Sequence, residues 1–409
     1  MKKLSCLFIF LIGISTFGFS KNFFAQRFFE LQVGVPVSFS NNVLSFDDIM
    51  KEQLVIDLTK LSDSISPNGA DIVIQSTPYF AMNFNIAVVH VGFSIGLDVY
   101  EKMNVSKDLF DFLGKGNEIG KPINVSINNY TDAFLYAEAD LGINFGRFNI
   151  HAIPGIFMPV ISSSGSLANV TFENKEDGSL DLLIKSNAEF LSNVDFVKIN
   201  QLNVSEFFND LSSGIGFDLG GQLSIPFGKT VLSAKARIPI VPGQLQYKMT
   251  NSVEKSLTIN TAEIVSGDAQ LNLNDLKIDN EDFNLTSSKL SEKVSINRPL
   301  KFNVFAKYSP IGNLLNLCAG GGIGVYHPFL SDNFMYPEYY LSAGINLIDM
   351  LKFTVSTEYS SQIFKHQIAF AVNIRLVEFE CGASLQSTDF SKSFSNNGFG
   401  AYAIVSIGF

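Results

Sequence analysis

The chain of 409 residues is 46% hydrophobic and 12% aromatic, with 17% charged residues and a formal net charge of −10. That negative balance argues against nucleic acid as a partner, and a mean hydropathy of +0.21 is high for a secreted soluble protein. After the N-terminus no stretch reaches the apolar length of a membrane helix, so the apolar residues are spread along the chain by some other rule.

Met1-Lys2-Lys3 opens the sequence, an apolar run extends from Leu4 to Phe19, and Gly18 and Ser20 supply small residues for cleavage. This predicts a signal peptide over residues 1–20 and export from the cytoplasm. Cys6 stands at the start of the run, not at its end, which speaks against a lipoprotein anchor. Residues 21–409 contain no charge block or low-complexity linker and read as a single domain. Cys318 and Cys381 read as small apolar strand residues, not as a disulfide framework.

The first alternating stretch is Phe29, Leu31, Val33, Val35, Val37 and Phe39, with Glu30, Gln32 and Ser38 among the residues between them. A side-chain period of two marks a β-strand with one apolar face. The rhythm recurs at Phe80–Val88, Val91–Val99, Ala133–Phe145, Phe148–Val160, Ile215–Ile225, Thr230–Ile240 and Leu300–Tyr308. From Leu315 onward the hairpins are nearly continuous, and the chain ends with Val405, Ile407 and Phe409 on one apolar face.

The count is about 14 strands (range 12–16), each long enough to cross a bilayer at a tilt. Connections sort by parity: those after even strands are short, and the long ones, at about 41–72, 104–130, 161–212 and 241–297, follow odd strands. Outer-membrane barrels are built with short turns on one side and long loops on the other. The expected fold is therefore all-β: a transmembrane antiparallel up-and-down β-barrel, porin-like, surrounded by outer-membrane lipid. Leu271 and Leu273 in the last excursion could belong to a further hairpin.

Three loop segments carry helical spacing. Phe46, Met50, Leu54, Leu58, Leu61 and Ile65 recur every three to four residues after a capping-box-like start at Ser45 and Asp48. Shorter copies follow Ser106 and Ser205. Such helices either cap the barrel mouth or form an apolar vestibule that admits hydrophobic small molecules.

The polar strand face should line the lumen. It carries Glu30, Asp98, Glu138, Asp140 and Asp218 in the first half, then Lys235, Arg237, Lys301 and Lys307, and finally Lys352, Glu358, Lys365, Arg375, Glu378 and Glu380. Opposed charges either select permeating ions and zwitterions or pair across the lumen and block it. For enzyme chemistry the chain offers no G-x-S-x-G, P-loop or C-x-x-C pattern. His90, His151, His327 and His366 lie on separate strands with no pair at ligand spacing, so neither a metal nor a cofactor is expected.

The terminal strand, closing on Phe409 with Ile407 and Val405, resembles the last strand of bacterial outer-membrane β-barrel proteins. That resemblance implies recognition by the barrel-assembly machinery. The whole architecture is similar to the long-chain fatty-acid (FadL-like) transporters and to spirochaete-type outer-membrane barrels. It implies an outer-membrane location and a passive channel or transporter for hydrophobic or small amphipathic solutes. A non-transporting surface barrel, whose loops serve adhesion or receptor roles, is the alternative. The first strand begins so close to the expected cleavage site that no N-terminal plug of the transporter type is expected, and no functional residue is carried over.

Overall fold

The structure is a computed structural model that describes residues 27–43, 45, 57–201, 203–260, 285–330, 333–347, 350–395 and 397–409. The signal peptide, the Asp48 helix start and the Leu271–Leu273 alternation lie outside those residues.

Eighteen strand segments form one antiparallel sheet. In chain order they are β1 (Phe29–Asn41), β2 (Ala70–Ser76), β3 (Tyr79–Ile86), β4 (Val89–Val105), β5 (Ile123–Phe145) and β6 (Phe148–Asn174). There follow β7 (Ser179–Ser192), β8 (Gly216–Phe227), β9 (Thr230–Val241), β10 (Gly243–Asn260), β11 (Thr286–Ile296) and β12 (Leu300–Tyr308). The last six are β13 (Leu315–Tyr326), β14 (Phe334–Leu347), β15 (Leu351–Ser360), β16 (Ile363–Ile374), β17 (Val377–Ser387) and β18 (Gly398–Gly408).

Four segments continue others. Thr77-Pro78 interrupts β2 and β3, which share the same neighbours, β1 and β4. Segments β7 and β8 occupy one position against β6. Pro242 separates β9 from β10, and Asn297-Arg298-Pro299 separates β11 from β12, because proline cannot donate to a ladder. The barrel therefore has 14 strands, as expected, and β1 closes it against β18 from Glu30↔Gly408 to Ser40↔Gly398.

Two expected loops are largely strand. Segments β6 and β7 pair far beyond residue 161, and β10 runs to Asn260 against β7 and β11. Asn169 and Thr171 show why the alternation is silent there. Above the bilayer both faces of a strand meet water, so apolar residues no longer alternate with polar ones. The expected 104–130 loop is shorter too, because β5 starts at Ile123.

The outer face is apolar, with Phe93 49%, Ile95 57%, Leu141 49% and Ile368 57% exposed. Phe28, Phe29, Phe84 and Phe409 cluster at the short-turn rim, with ring centroids 5.1–6.1 Å apart. Tyr339, Tyr359, Phe364 and Phe390 form a second aromatic group at the other end. In the absence of Trp, Phe and Tyr supply both girdles.

Three short helices sit in the long-loop region: α1 (Leu58–Ser64), α2 (Lys107–Lys115) and α3 (Val204–Ser212). Helix α1 is capped by Asp57, and α3 carries an Asn203–Glu206 capping box. Helices α1 and α2 dock through polar contacts: Thr59 Oγ1 donates to the Gly114 carbonyl at 2.9 Å, and Lys107 Nζ donates to the Ser62 carbonyl at 3.0 Å. Asp111 accepts from Lys107 and from Ser62, each at 2.5 Å, and these donors pull its carboxyl from 3.8 down to about 2.

Two predictions follow from this packing. A depressed carboxyl stabilises the folded form fully above its unfolded value and ceases to do so as pH falls through the folded value. Protection of the Lys107–Lys115 amides, relative to the intrinsic exchange rate at each pH, should therefore be high at pH 5 and fall between about 4 and 2; constant protection contradicts the docking role. At the seam, a Cβ on Gly34 would stand 2.3 Å from the Tyr79 ring. Gly34→Leu should destabilise the micelle-embedded barrel by about 1–3 kcal/mol through forced overpacking, read as a lowered urea midpoint.

Candidate functional site: a charge-bridged lumen

The inner face of each strand is set by its alternation, and it brings acidic residues to one wall. Asp98 on β4, Glu138 on β5 and Asp218 on β8 converge below the raised part of the barrel, with Asp218 almost fully buried. Isolated carboxylates removed from water are unfavourable unless a cation and hydrogen bonds compensate them. Arg298 supplies both.

Arg298 comes from the irregular link between β11 and β12 and is 1% exposed. Its Nη1 donates to Glu138 Oε1 at 3.0 Å and to Asp218 Oδ2 at 2.8 Å. Nη2 and Nε both reach Asp98 Oδ2, at 2.7 and 3.2 Å. The guanidinium lies 4.4 Å from the centroid of the Tyr136 ring, a cation–π contact. Arg237 adds a second cation 3.6 Å from Asp98 and donates to the Pro299 carbonyl at 3.2 Å. One guanidinium thus ties β12 to β4, β5 and β8 across the intervening strands.

Next to this bridge lies a lumenal cavity of about 210 Å³. Tyr100, Tyr336, Tyr340 and Tyr402 line it together with Lys301, Lys352, Lys365, Glu358 and Glu380. Lys301 pairs with Glu338 at 2.9 Å, where Asn303 and Ser360 also donate. Lys365 stands 3.4 Å from Glu358. Above, Asp132 accepts from Tyr130 and Ser162 at 2.8 Å and faces His327 Nε2 at 3.0 Å. Ser162 and His327 both bond to the carboxylate, an arrangement unlike a nucleophile–base pair.

The remaining expected lumen residues separate into groups. Glu30 is buried near the short-turn rim, 3.4 Å from Arg27, which also lies 3.9 Å from Glu378. Lys235 lines a smaller cavity with Arg298 and Glu138, while Lys307 faces Cys318 across the β12–β13 ladder. Cys318 and Cys381 are free. Arg375 departs from expectation: it is exposed in the Arg375-Leu376 turn, with φ +59°, because the β16–β17 hairpin reverses there. Val405, Ile407 and Phe409, expected to serve as an assembly signal, face outward, 38%, 53% and 68% exposed.

Two features were not foreseen. Arg298 lies just past the excursion placed at 241–297, and its only trace in the sequence is a cation wedged before a proline at a strand start. The histidines are not all dispersed. His90 and His151 face each other across β5 with ring centroids 5.1 Å apart, and Asp140 lies between them. Sequence separation hid this pair because β4, β5 and β6 bring it together by register.

No family model and no curated protein matches the chain. Among solved structures it is similar to the P. putida toluene transporter TodX (TM-score 0.45, 8% identity, 95% of this chain and 91% of that one). It is also similar to a TodX deltaS2S3 mutant monoaromatic hydrocarbon channel (0.44, 10%, 95% and 92%). The translocator domain of the autotransporter NalP from Neisseria meningitidis aligns over 100% of this chain and 94% of that one, at 7% identity and a TM-score of 0.35.

Arg298→Ala would leave three carboxylates facing one another without their shared cation. Breaking a buried ion pair from one side costs about 3–5 kcal/mol, so the urea midpoint of the variant should fall accordingly. Arg298→Lys should recover only part of the loss, since an ammonium cannot reproduce the guanidinium fork. An unchanged midpoint in both would mean the network contributes nothing to the fold.

Proposed function

We propose that the protein is a passive channel of the bacterial outer membrane for small amphipathic or zwitterionic solutes. The observation that carries this reading is the lumenal cavity, whose lining interleaves Lys301, Lys352 and Lys365 with Asp98, Glu358 and Glu380 and adds several tyrosine rings. A zwitterion in such a lining can engage both members of a pair, its anionic end at Lys365 and its cationic end at Glu358, which stand 3.4 Å apart. Tyrosine faces offer an apolar surface to the remainder of the solute. Of the solutes suggested by the FadL-like resemblance, the chemistry of this cavity favours amphipathic over purely hydrophobic ones. The seam and its exposed terminal aromatic support engagement by the barrel-assembly machinery, with outer-membrane lipid against the apolar belt.

A second reading is supported by the raised wall of β6, β7, β10 and β11, which pairs well beyond the barrel body. In that reading the wall is a receptor or adhesion surface and the Arg298 bridge keeps the lumen shut.

Planar-bilayer recordings separate the two. The channel reading expects discrete conductance whose reversal potential moves toward cation selectivity in Lys352→Glu/Lys365→Glu. Absence of both conductance and liposome swelling in the folded protein would reject it in favour of the surface barrel.

A further inference from the structure

We propose that His90, Asp140 and His151 form a site for a divalent transition-metal ion of the zinc class, on the inner wall at the short-turn end of the barrel. This goes beyond the channel reading and does not depend on it. His90, Gly142 and His151 form one cross-strand row on β4, β5 and β6. Because the middle position is glycine, the two imidazoles meet over it. Asp140, two residues along β5, places its carboxylate against both. Its Oδ2 lies 3.6 Å from His90 Nε2, and its Oδ1 lies 2.5 Å from His151 Nδ1. The three candidate ligand atoms all fall within 4.8 Å of one another.

The outer hydrogen bonds point the same way. His90 Nδ1 lies 2.7 Å from Asn85 Oδ1, and His151 Nε2 lies 3.0 Å from Asn144 Oδ1. An amide oxygen only accepts, so each ring donates from the nitrogen away from Asp140, while the short His151 Nδ1–Asp140 contact holds a further proton that a bound metal ion would displace. The Asn85 orientation is fixed independently, because its Nδ2 donates to the Arg27 carbonyl at 2.7 Å. Each ring's other nitrogen, the one that would hold a metal, faces the carboxylate. Metal-binding histidines are oriented in this way, with the remote N–H held by an oxygen acceptor.

Space is reserved as well. A Cβ at Gly142 would stand 2.5 Å from His151 Nδ1, and one at Gly92 would stand 3.1 Å from His90 Nε2 and 3.2 Å from the Asp140 Cβ. The two rings are buried, whereas the Asp140 side chain is 29% exposed and opens to the lumen. Two imidazoles and one carboxylate suit Zn²⁺ and its neighbours and not the oxygen-seeking Mg²⁺ or Ca²⁺. Three protein ligands leave a coordination position facing the lumen for water or a passing anion.

The test uses untagged full-length protein, folded in detergent and stripped with a chelator. Zn²⁺ is titrated by calorimetry, and Co²⁺ is titrated by visible absorption, which reports coordination geometry. The proposal expects one equivalent bound, at least about 10-fold weaker binding in His151→Gln and in Asp140→Asn, and about 10–100-fold weaker binding in Asn85→Ala/Asn144→Ala. Heat-modifiable gel mobility checks that each variant is folded, and the asparagine pair keeps the test open if a histidine variant is not. Absence of Zn²⁺ binding by the folded wild type would overturn the proposal, and the triad would then be an ion-pair cluster alone. Equal affinity in wild type and all folded variants would also overturn it, by assigning the ion to other lumenal carboxylates.

Discussion

Closure of the sheet is the constraint on which everything else rests. In hydrocarbon no water is available to a backbone N–H or C=O, so a strand edge there is untenable. The β1–β18 ladder removes that edge, and it is finished by a reciprocal pair: Phe29 N donates to the Phe409 carbonyl at 3.1 Å, and Phe409 N donates to the Phe29 carbonyl at 3.0 Å. The terminal phenylalanine is thus a seam residue through its backbone and a girdle residue through its ring. Once the cylinder is closed, every strand has a lipid side and a lumen side, and the choice of side chains on each follows from the solvent it meets.

The lumen side then poses the opposite problem, since 14 strands bring many inward polar groups into a narrow space. Asp98, Glu138 and Asp218 would repel one another along one wall, and Arg298 reverses the sign of that interaction. Its position explains why the strand is broken at Asn297-Arg298-Pro299. A residue within a regular strand projects at a fixed angle to the wall, whereas a residue at a break can extend its side chain toward three strands at once. The same break weakens the ladder locally, and the buried guanidinium compensates by anchoring the link to β4, β5 and β8.

How much of this was legible depended on which solvent faced the chain. Within the bilayer the period of two is clear, because one face is apolar and the other mostly polar or small, and β1, β16 and β18 can be read nearly residue by residue, with Ile404 turned inward as an exception. Above it, residues 179–187 of β7 and 252–259 of β10 are wetted on both sides, and their Ser, Asn and Lys residues give no period although β7 and β10 pair without a register break. Helix α2 was visible through Asp108-Leu109-Phe110 and α3 through Glu206-Phe207-Phe208, where polar and apolar faces separate. The charged lumen residues could be named from alternation alone, but their partners could not. Register, not sequence distance, decides that Arg298 meets Asp98 and that His90 meets His151. Arg375 was misassigned for a related reason, since alternation does not mark the residue at which a hairpin turns.

Register also determines how wide the lumen is. Several inward glycines stand directly opposite an inward aromatic: Gly34 opposite Tyr79, Gly324 opposite Tyr336 and Gly382 opposite Tyr402. In each case the ring lies over the glycine so closely that a Cβ would collide with it. A ring lying flat on the wall occupies far less of the lumen than one pointing across it, and it covers backbone that would otherwise be bare. The Gly–Tyr pairs therefore account for a cavity that is polar in its charges yet smooth and partly aromatic in its walls. They also explain why the glycine-rich stretch of β13 sits in the middle of a strand without ending it: its neighbours on β12 and β14 supply the side chains it lacks.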